Sequence, residues 1–290
     1  MEQFCDLHTH SCFSDGTHTP TELIRGAEEA GLGAVALCDH NTVAGLPEFL
    51  EAGKKSAVEA VPGIEFSTEY RGRELHILGL FVQPEHYGAV NELLEDALRR
   101  KEESNRALVR RLEEQGLSLD YDAIREAADG TVNRAVIGAY LVRCGFCGSV
   151  REAFDNWLSL ERGLYVPPKR PDAFEIIRFI KSIGAVAVLA HPFLNLDADQ
   201  LREFLFQAEG LDGMEVYYAK FTDEETVLAG KIAEEFGLVK SGGSDFHGSN
   251  KPGIRLGVGK GNLRVPMDCF FELKTRKAVD DPCEAGKHLL

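Results

Sequence analysis

The chain predicts an α/β fold built on a largely parallel sheet or barrel, and three observations carry that prediction. Seven short apolar runs recur along its 290 residues: Phe4–Leu7, Ala34–Cys38, Ala60–Ile64, Leu75–Phe81, Ala185–Ala190, Gly213–Tyr217 and Leu238–Ser241. Helical patterns stand between most of them, and strands that alternate with helices pair in parallel. Several runs are followed directly by histidine or a carboxylate, the residue types that gather where strand ends of such folds converge.

The elements follow in order. Thr19–Gly31 reads as a helix: Thr19 caps it, Pro20 fits its first turn, and Glu22 stands three residues after the cap. Ser67–Leu80 differs, because Arg71-Gly72-Arg73 between two β-rich runs is a hairpin signal. From Tyr87 to Gly163 the patterns are helical and no strand is convincing. Asn91–Gln115 is one long charged amphipathic helix closed by Gly116, with Ala135–Cys144 and Val150–Leu160 as shorter ones. Phe174–Ile183 and Asp223–Gly237 return to the alternating pattern, the second opening with acidic residues that suit a helix N-terminus. The expected organisation is a discontinuous barrel over 1–86 and 164–275, an all-helical insertion over 87–163, and a polar tail over 276–290.

Charge narrows the function. With 32 basic and 47 acidic residues the net charge is −15. An extended basic face for long duplex nucleic acid or an anionic membrane is therefore not expected. A small anion held at a local positive centre is still allowed, and a bound metal supplies such a centre. The N-terminus MEQFCDLHTH lacks the basic and apolar regions of a signal peptide, and the longest apolar stretch, near GAVAVLA, is too short to cross a membrane. Seven scattered cysteines, an odd number, fit reduced thiols, so a cytoplasmic location is expected. The lone Cys144-x-x-Cys147 reads as two small apolar residues near a helix end rather than half a zinc site.

The nine histidines are the most informative residues, and none falls between His86 and His191. His8, His10, His40, His76, His191 and His247 each lie in or just after an apolar run. Asp6, Asp15, Asp39, Glu65 and Asp245 accompany them. His8 and His10 are two apart, so on an extended chain both imidazoles point the same way and can share one ion. Asp245-Phe246-His247 repeats the spacing after Gly242-Gly243, a pair that lets backbone approach the site closely. Imidazole with carboxylate and no thiolate suits Zn, Mn or Fe. His18, His86 and His288 read as ordinary histidines. Asp6 and Asp39 either orient histidines from behind or end strands as turn carboxylates. Lys220 reads as a solvated loop lysine in preference to one that reaches the site.

Taken as a set, DLHTHSCFSDGTHTPTELI, LCDHNTVAGL, VPGIEFS, LHILGL, AVLAHP and GGSDFHG resemble the PHP (polymerase and histidinol phosphatase) family. They are similar to its stand-alone bacterial metal-dependent phosphoesterases, over residues 4 to 260. The resemblance implies a distorted (β/α)7 barrel whose helical insertion forms a lid. It implies a site for two or three divalent ions, Mn first with Fe or Zn as alternatives. The implied ligands are His8, His10, Asp15, His40, Glu65, His76, His191, Asp245 and His247, with Glu65 bridging two ions. Asp15, His40, Glu65, Asp245 and His247 form the implied catalytic set. NRAVIGAYLVRCG matches the family's lid segment and implies Arg134 as a phosphate-binding residue. GLYVPPKRPDAFEII implies Lys169 or Arg170 as a basic residue near the site. Three departures stand out: the family usually has Asp at Asn41 and Thr at Cys38, and His is common at Val136.

The activity implied is hydrolysis of a terminal phosphate of a small nucleotide by attack of a metal-bound hydroxide. A nucleoside 3′,5′-bisphosphate is the first expected substrate. The alternatives are 5′→3′ hydrolysis of short oligonucleotides, histidinol-phosphate hydrolysis, and a silent module that binds metal without catalysis. The acidic surface favours short substrates.

Overall fold

The structure, a computed structural model, describes residues 3–128 and 132–280. The chain divides into two compact units, Met1–Asn91 with Pro171–Leu290, and Glu92–Arg170.

The first unit is an eight-stranded sheet. Its strands are β1 (Phe4–Thr9), β2 (Ala34–Leu37), β3 (Glu59–Tyr70), β4 (Arg73–Leu80), β5 (Val186–Leu189), β6 (Gly213–Tyr218), β7 (Val239–Gly243) and the two-residue β8 (Val265–Pro266). They lie side by side in the order β7-β6-β5-β4-β3-β2-β1-β8. β1, β2 and β3 are parallel, as are β5, β6 and β7. β4 runs against both its neighbours, and β8 runs against β1. The sheet curls until its first and seventh strands meet: Asp245 N donates to His8 O at 2.9 Å and His10 N to Phe246 O at 2.9 Å. This is the distorted (β/α)7 barrel, with a helical insertion between β4 and β5.

Local chemistry explains the departures from a regular barrel. Arg71 and Gly72 have φ of 50° and 75°, the left-handed pair of a two-residue hairpin turn, so β4 must return antiparallel. Gly243 makes closure possible, because a Cβ there would lie 2.4 Å from His8 Cβ. Helix α1 (Pro20–Glu29) carries the expected capping box: Glu22 N donates to Thr19 Oγ1 at 3.2 Å and Thr19 N to Glu22 Oε2 at 2.8 Å. Strand positions two apart, Cys5 and Leu7, Ala34 and Ala36, Leu78 and Leu80, Val186 and Val188, join one buried apolar cluster. Cys269, Phe270 and Leu273 complete it from the last described helix, Met267–Asp280. That helix continues through 276–280, the start of the expected polar tail, and residues 281–290, with His288, lie outside the described residues. Three further helices, α2 (Leu46–Gly53), Ala198–Gln207 and Tyr121–Glu126, carry weaker sequence signals and went unpredicted.

Helix α3 (Tyr87–Glu114) leads from the first unit into the second, which is helical throughout its described residues. Α core of Leu108, Leu112, Ile124, Ile137, Leu141 and Leu158 holds that unit together. Cys147 joins the core while Cys144 is exposed at the end of helix Arg134–Arg143, and both are free thiols.

Candidate metal centre

The barrel gathers all nine expected ligands into one cluster. His8 lies in the last two residues of β1 with His10 just beyond the strand, and their Nε2 atoms lie 3.0 Å apart, as the two-residue spacing allows. Asp15 follows in a turn that Gly16 folds back against His10, where a Cβ would lie 2.4 Å from the His10 carbonyl oxygen. His40 follows β2 and bridges to Glu65 in β3. His76 stands on the antiparallel β4 with Nδ1 2.7 Å from Glu65 Oε1. His191 follows β5 at 3.1 Å from the same oxygen. Asp245 and His247 come from the segment that closes the barrel.

Glu65 is the hub. Its Oε2 lies 3.3 Å from His8 Nε2, 3.2 Å from His10 Nε2 and 2.9 Å from His40 Nδ1. Yet Glu65 Oε2 and His40 Nδ1 are buried with no hydrogen-bond partner, as are His10 Nδ1 and His247 Nε2. These atoms approach one another without the alignment of N–H to oxygen that a hydrogen bond needs. Leaving several buried polar atoms unpaired costs about 1–3 kcal/mol each, which a shared cation relieves. Four overlapping sets of donor atoms lie within 4.8 Å of one another: His10, Asp15, His40, His247; His8, Glu65, His191; His8, His10, Asp245; and His40, Glu65, His76. All donors are nitrogen or oxygen, so the residues fit borderline divalent ions.

The charges support the same reading. Burial pushes His8 down, but Glu65 and Glu215 outweigh it and hold the imidazole well above its usual range. Burial likewise opposes the carboxylates at His10 and His76, which still rise to about 9 and about 10. Burial pushes Glu65 up, but its interactions with His40, His76 and His8 outweigh that and hold it well below the usual carboxylate range. His247 moves the other way, to about 4, through burial and the neighbouring charge of His10. Protons on imidazoles thus balance the carboxylates where ions would do so.

The backbone is strained at the same place. Asn41, His191 and Asp245 have φ of 51°, 27° and 55°, in the left-handed region that non-glycine residues seldom occupy. Asn41, the departure from the family pattern, is satisfied locally: its Nδ2 donates to Ser67 Oγ at 3.0 Å, and its Oδ1 accepts from Ser67 N at 3.0 Å.

Asp6 and Asp39 resolve differently from either expectation. Asp6 accepts from Ser244 N, Ser244 Oγ and Gly257 N, each at 2.6–2.8 Å. Asp39 accepts from Ser11 N, Ser11 Oγ and Ser14 Oγ at 2.6–2.8 Å. Both anchor loops that carry ligands rather than imidazole rings. The carboxylate that orients a ring is Glu215 in β6, fully buried, with Oε1 2.9 Å from His8 Nδ1 and Oε2 accepting from His191 N at 2.7 Å. Sequence reasoning missed it, along with Tyr218 and Lys251, which both hold Asp245 Oδ2, at 2.9 Å and 2.6 Å.

A recess of about 190 Å³ opens on this cluster, with His40, Glu65, His76, His191 and Asp245 among its lining. Arg134, Lys169 and Arg170 belong to the helical unit. There the Arg134 guanidinium lies 4.4 Å from the Tyr165 ring centre and 5.6 Å from that of Phe154, and donates to Leu158 O at 3.2 Å. Of the remaining histidines, His18 stands edge-on to Phe246 and His86 ends a short 3₁₀ turn.

Fold and centre together define a barrel hydrolase with a buried cluster of nitrogen and oxygen donors suited to metal. The chain belongs to the PHP family, whose domain model matches residues 6–158, and it is a metal-dependent phosphoesterase. It is 36% identical to a 5′-3′ exoribonuclease of Haemophilus influenzae, an alignment covering 85% of this chain and 91% of the relative. It is 30% identical to a 3′,5′-nucleoside bisphosphate phosphatase of Chromobacterium violaceum, over 93% of this chain and 96% of the other. The crystal structure of a presumed metal-dependent phosphoesterase from Bifidobacterium adolescentis superposes with a TM-score of 0.81 at 29% identity, covering 94% of this chain and 96% of that one.

Proposed function

We propose that the protein removes a terminal phosphate from a nucleoside 3′,5′-bisphosphate, with His8, His10, Asp15, His40, Glu65, His76, His191, Asp245 and His247 holding two or three divalent ions. The observation that carries this reading is the buried set of unpartnered donor atoms at the base of a small recess. Ions held there supply Lewis acidity toward phosphoryl oxygens and acidify water near neutral pH. The protein's own contribution is positioning. Glu215 holds His8 with its Nε2 toward Glu65, and Tyr218 and Lys251 turn Asp245 Oδ1 toward His10, 3.3 Å away. Arg134, steadied between two aromatic rings, is the phosphate-binding residue of the helical unit, and Lys169 or Arg170 adds a second positive group. The volume of the recess suits one phosphoryl group better than a continuous strand.

A second reading, 5′→3′ removal of mononucleotides from short RNA, is favoured by the similarity to the Haemophilus influenzae exoribonuclease. Phosphate and nucleotide release are measured with Mn²⁺ across nucleoside monophosphates, 3′,5′-bisphosphates, 5′-phosphorylated short RNA and histidinol phosphate. Bisphosphate turnover well above the rest is the expected result. RNA turnover exceeding it makes the second reading correct. Metal analysis of protein purified without chelator identifies the ion, with Mn expected ahead of Fe or Zn.

A further inference from the structure

Two lysines line the recess, Lys251 already placed as a partner of Asp245 and Lys220 with no part in the site described so far. Lys220 follows β6 by two residues and Lys251 follows His247 by four, and both line the recess beside Tyr218 and Asp245. Lys251 is paired with Asp245 Oδ2 at 2.6 Å. Lys220 has no hydrogen-bond or ion-pair partner among the described residues. Its ammonium is pushed down by burial and by the charge of Lys251, with Lys260 adding to the repulsion and Asp245 only partly opposing it. Two ammonium groups line one recess, and Lys220, exposed at its rim with no counter-ion among the described residues, can pair with an anion that enters. In a chain of net charge −15, such a concentration of positive charge beside a phosphoesterase centre calls for an explanation.

We propose that Lys220 and Lys251 form a dianion clamp: they hold non-bridging oxygens of the phosphoryl group being cleaved and tilt the site toward phosphomonoesters over phosphodiesters. This rests on the proposed function in one respect, that the reacting phosphoryl group occupies the recess. The selectivity follows from charge. A phosphomonoester carries about −1.5 to −2 at pH 7 because its second ionisation falls near pH 6, whereas a diester carries a single charge. Each added cation therefore favours the monoester. Lys220 is the exposed turn lysine that the sequence led us to expect, and the clamp adds a role to it.

The test uses the full chain loaded with Mn²⁺, as wild type, Lys220→Met, Lys220→Arg and Lys251→Met. Hydrolysis of p-nitrophenyl phosphate and bis-p-nitrophenyl phosphate is compared, inorganic phosphate is titrated calorimetrically, and metal content is measured by mass spectrometry. For Lys220→Met, kcat/KM for the monoester falls at least about tenfold and phosphate binds about tenfold more weakly, as expected when a charged hydrogen bond is lost. The diester falls less, metal content is unchanged, and Lys220→Arg recovers most of the loss. A parallel fall of both substrates, or unchanged phosphate affinity, overturns the clamp. Lys251→Met with metal retained and the same selectivity loss supports it. Loss of metal in that variant assigns Lys251 to holding Asp245 alone and removes it from the clamp. Wild-type protein that releases phosphate from no nucleotide refutes the proposed function, while the phosphate titration still decides the clamp.

Discussion

Glu215→Gln tests the centre most sharply, because the geometry leaves the new amide one orientation. Glu215 Oε2 accepts from His191 N, a group that only donates. The amide oxygen must therefore stay on that side, and the NH₂ turns toward His8 Nδ1, 2.9 Å from the present Oε1. His8 Nδ1 then has to accept, and its proton moves to Nε2, the nitrogen that lies 3.3 Å from Glu65 Oε2 and 3.0 Å from His10 Nε2. A protonated Nε2 is no ligand. The lost interaction, a hydrogen bond to a fully buried carboxylate, is worth about 1.5–3 kcal/mol. That converts to about a 10- to 100-fold loss of affinity, the range seen when a group behind a metal ligand is removed. Mn²⁺ affinity is measured by competition with a chromophoric chelator, with circular dichroism confirming the fold. A folded Glu215→Gln protein with wild-type Mn²⁺ affinity refutes the assignment of His8 as a ligand through Nε2.

Four further outcomes are expected. His247→Ala abolishes hydrolysis and lowers bound metal while circular dichroism is retained; a fully active variant sinks its place in the centre. Arg134→Ala lowers phosphate-ester turnover at least about tenfold without changing metal content, which mass spectrometry checks, since its ring contacts and its bond to Leu158 O lie within the helical unit. Gly243→Ala lowers Tm by at least about 3 °C in calorimetry, because its Cβ would stand 2.4 Å from His8 Cβ in a closed backbone contact. In chelator-treated protein, His76, raised to about 10 from 6.5, stabilises the fold fully below pH 6.5, and that contribution fades as pH rises toward 10. His247, lowered to about 4, stabilises fully above pH 6.5 and loses its contribution as pH falls toward 4. His76→Gln should therefore flatten the alkaline limb of apo-protein Tm and leave the acid limb in place; an unchanged alkaline limb contradicts the assignment.

Much of the barrel was legible because its signals are local. All seven apolar runs became strands, and Arg71-Gly72 announced the one hairpin, since a short left-handed pair leaves its mark in adjacent residues. The candidate ligands were legible for a related reason: paired spacing such as His8 with His10, or Asp245 with His247, is written within three residues. Glu215 had no such mark. It sits inside GMEVYY, an apolar strand in pattern, and its partner His8 is 207 residues away, so only the folded sheet brings the two together. Lys251 is equally silent, a loop lysine whose meaning comes from Asp245 Oδ2 at 2.6 Å. The last helix was misjudged beyond 276 because its surface is polar, while its anchors, Cys269, Phe270 and Leu273, lie in its first half.

The seam where β7 meets β1 has a consequence for how the protein comes into being. His8 and His10 are made long before the partners that close the ring on them, Asp245 and Phe246. No nascent chain shorter than about residue 247 holds the complete donor set, and joining ends so distant in sequence is an entropically late event. Completion of the donor set therefore waits for the closing segment, so a chain cut before Asp245 lacks the full centre.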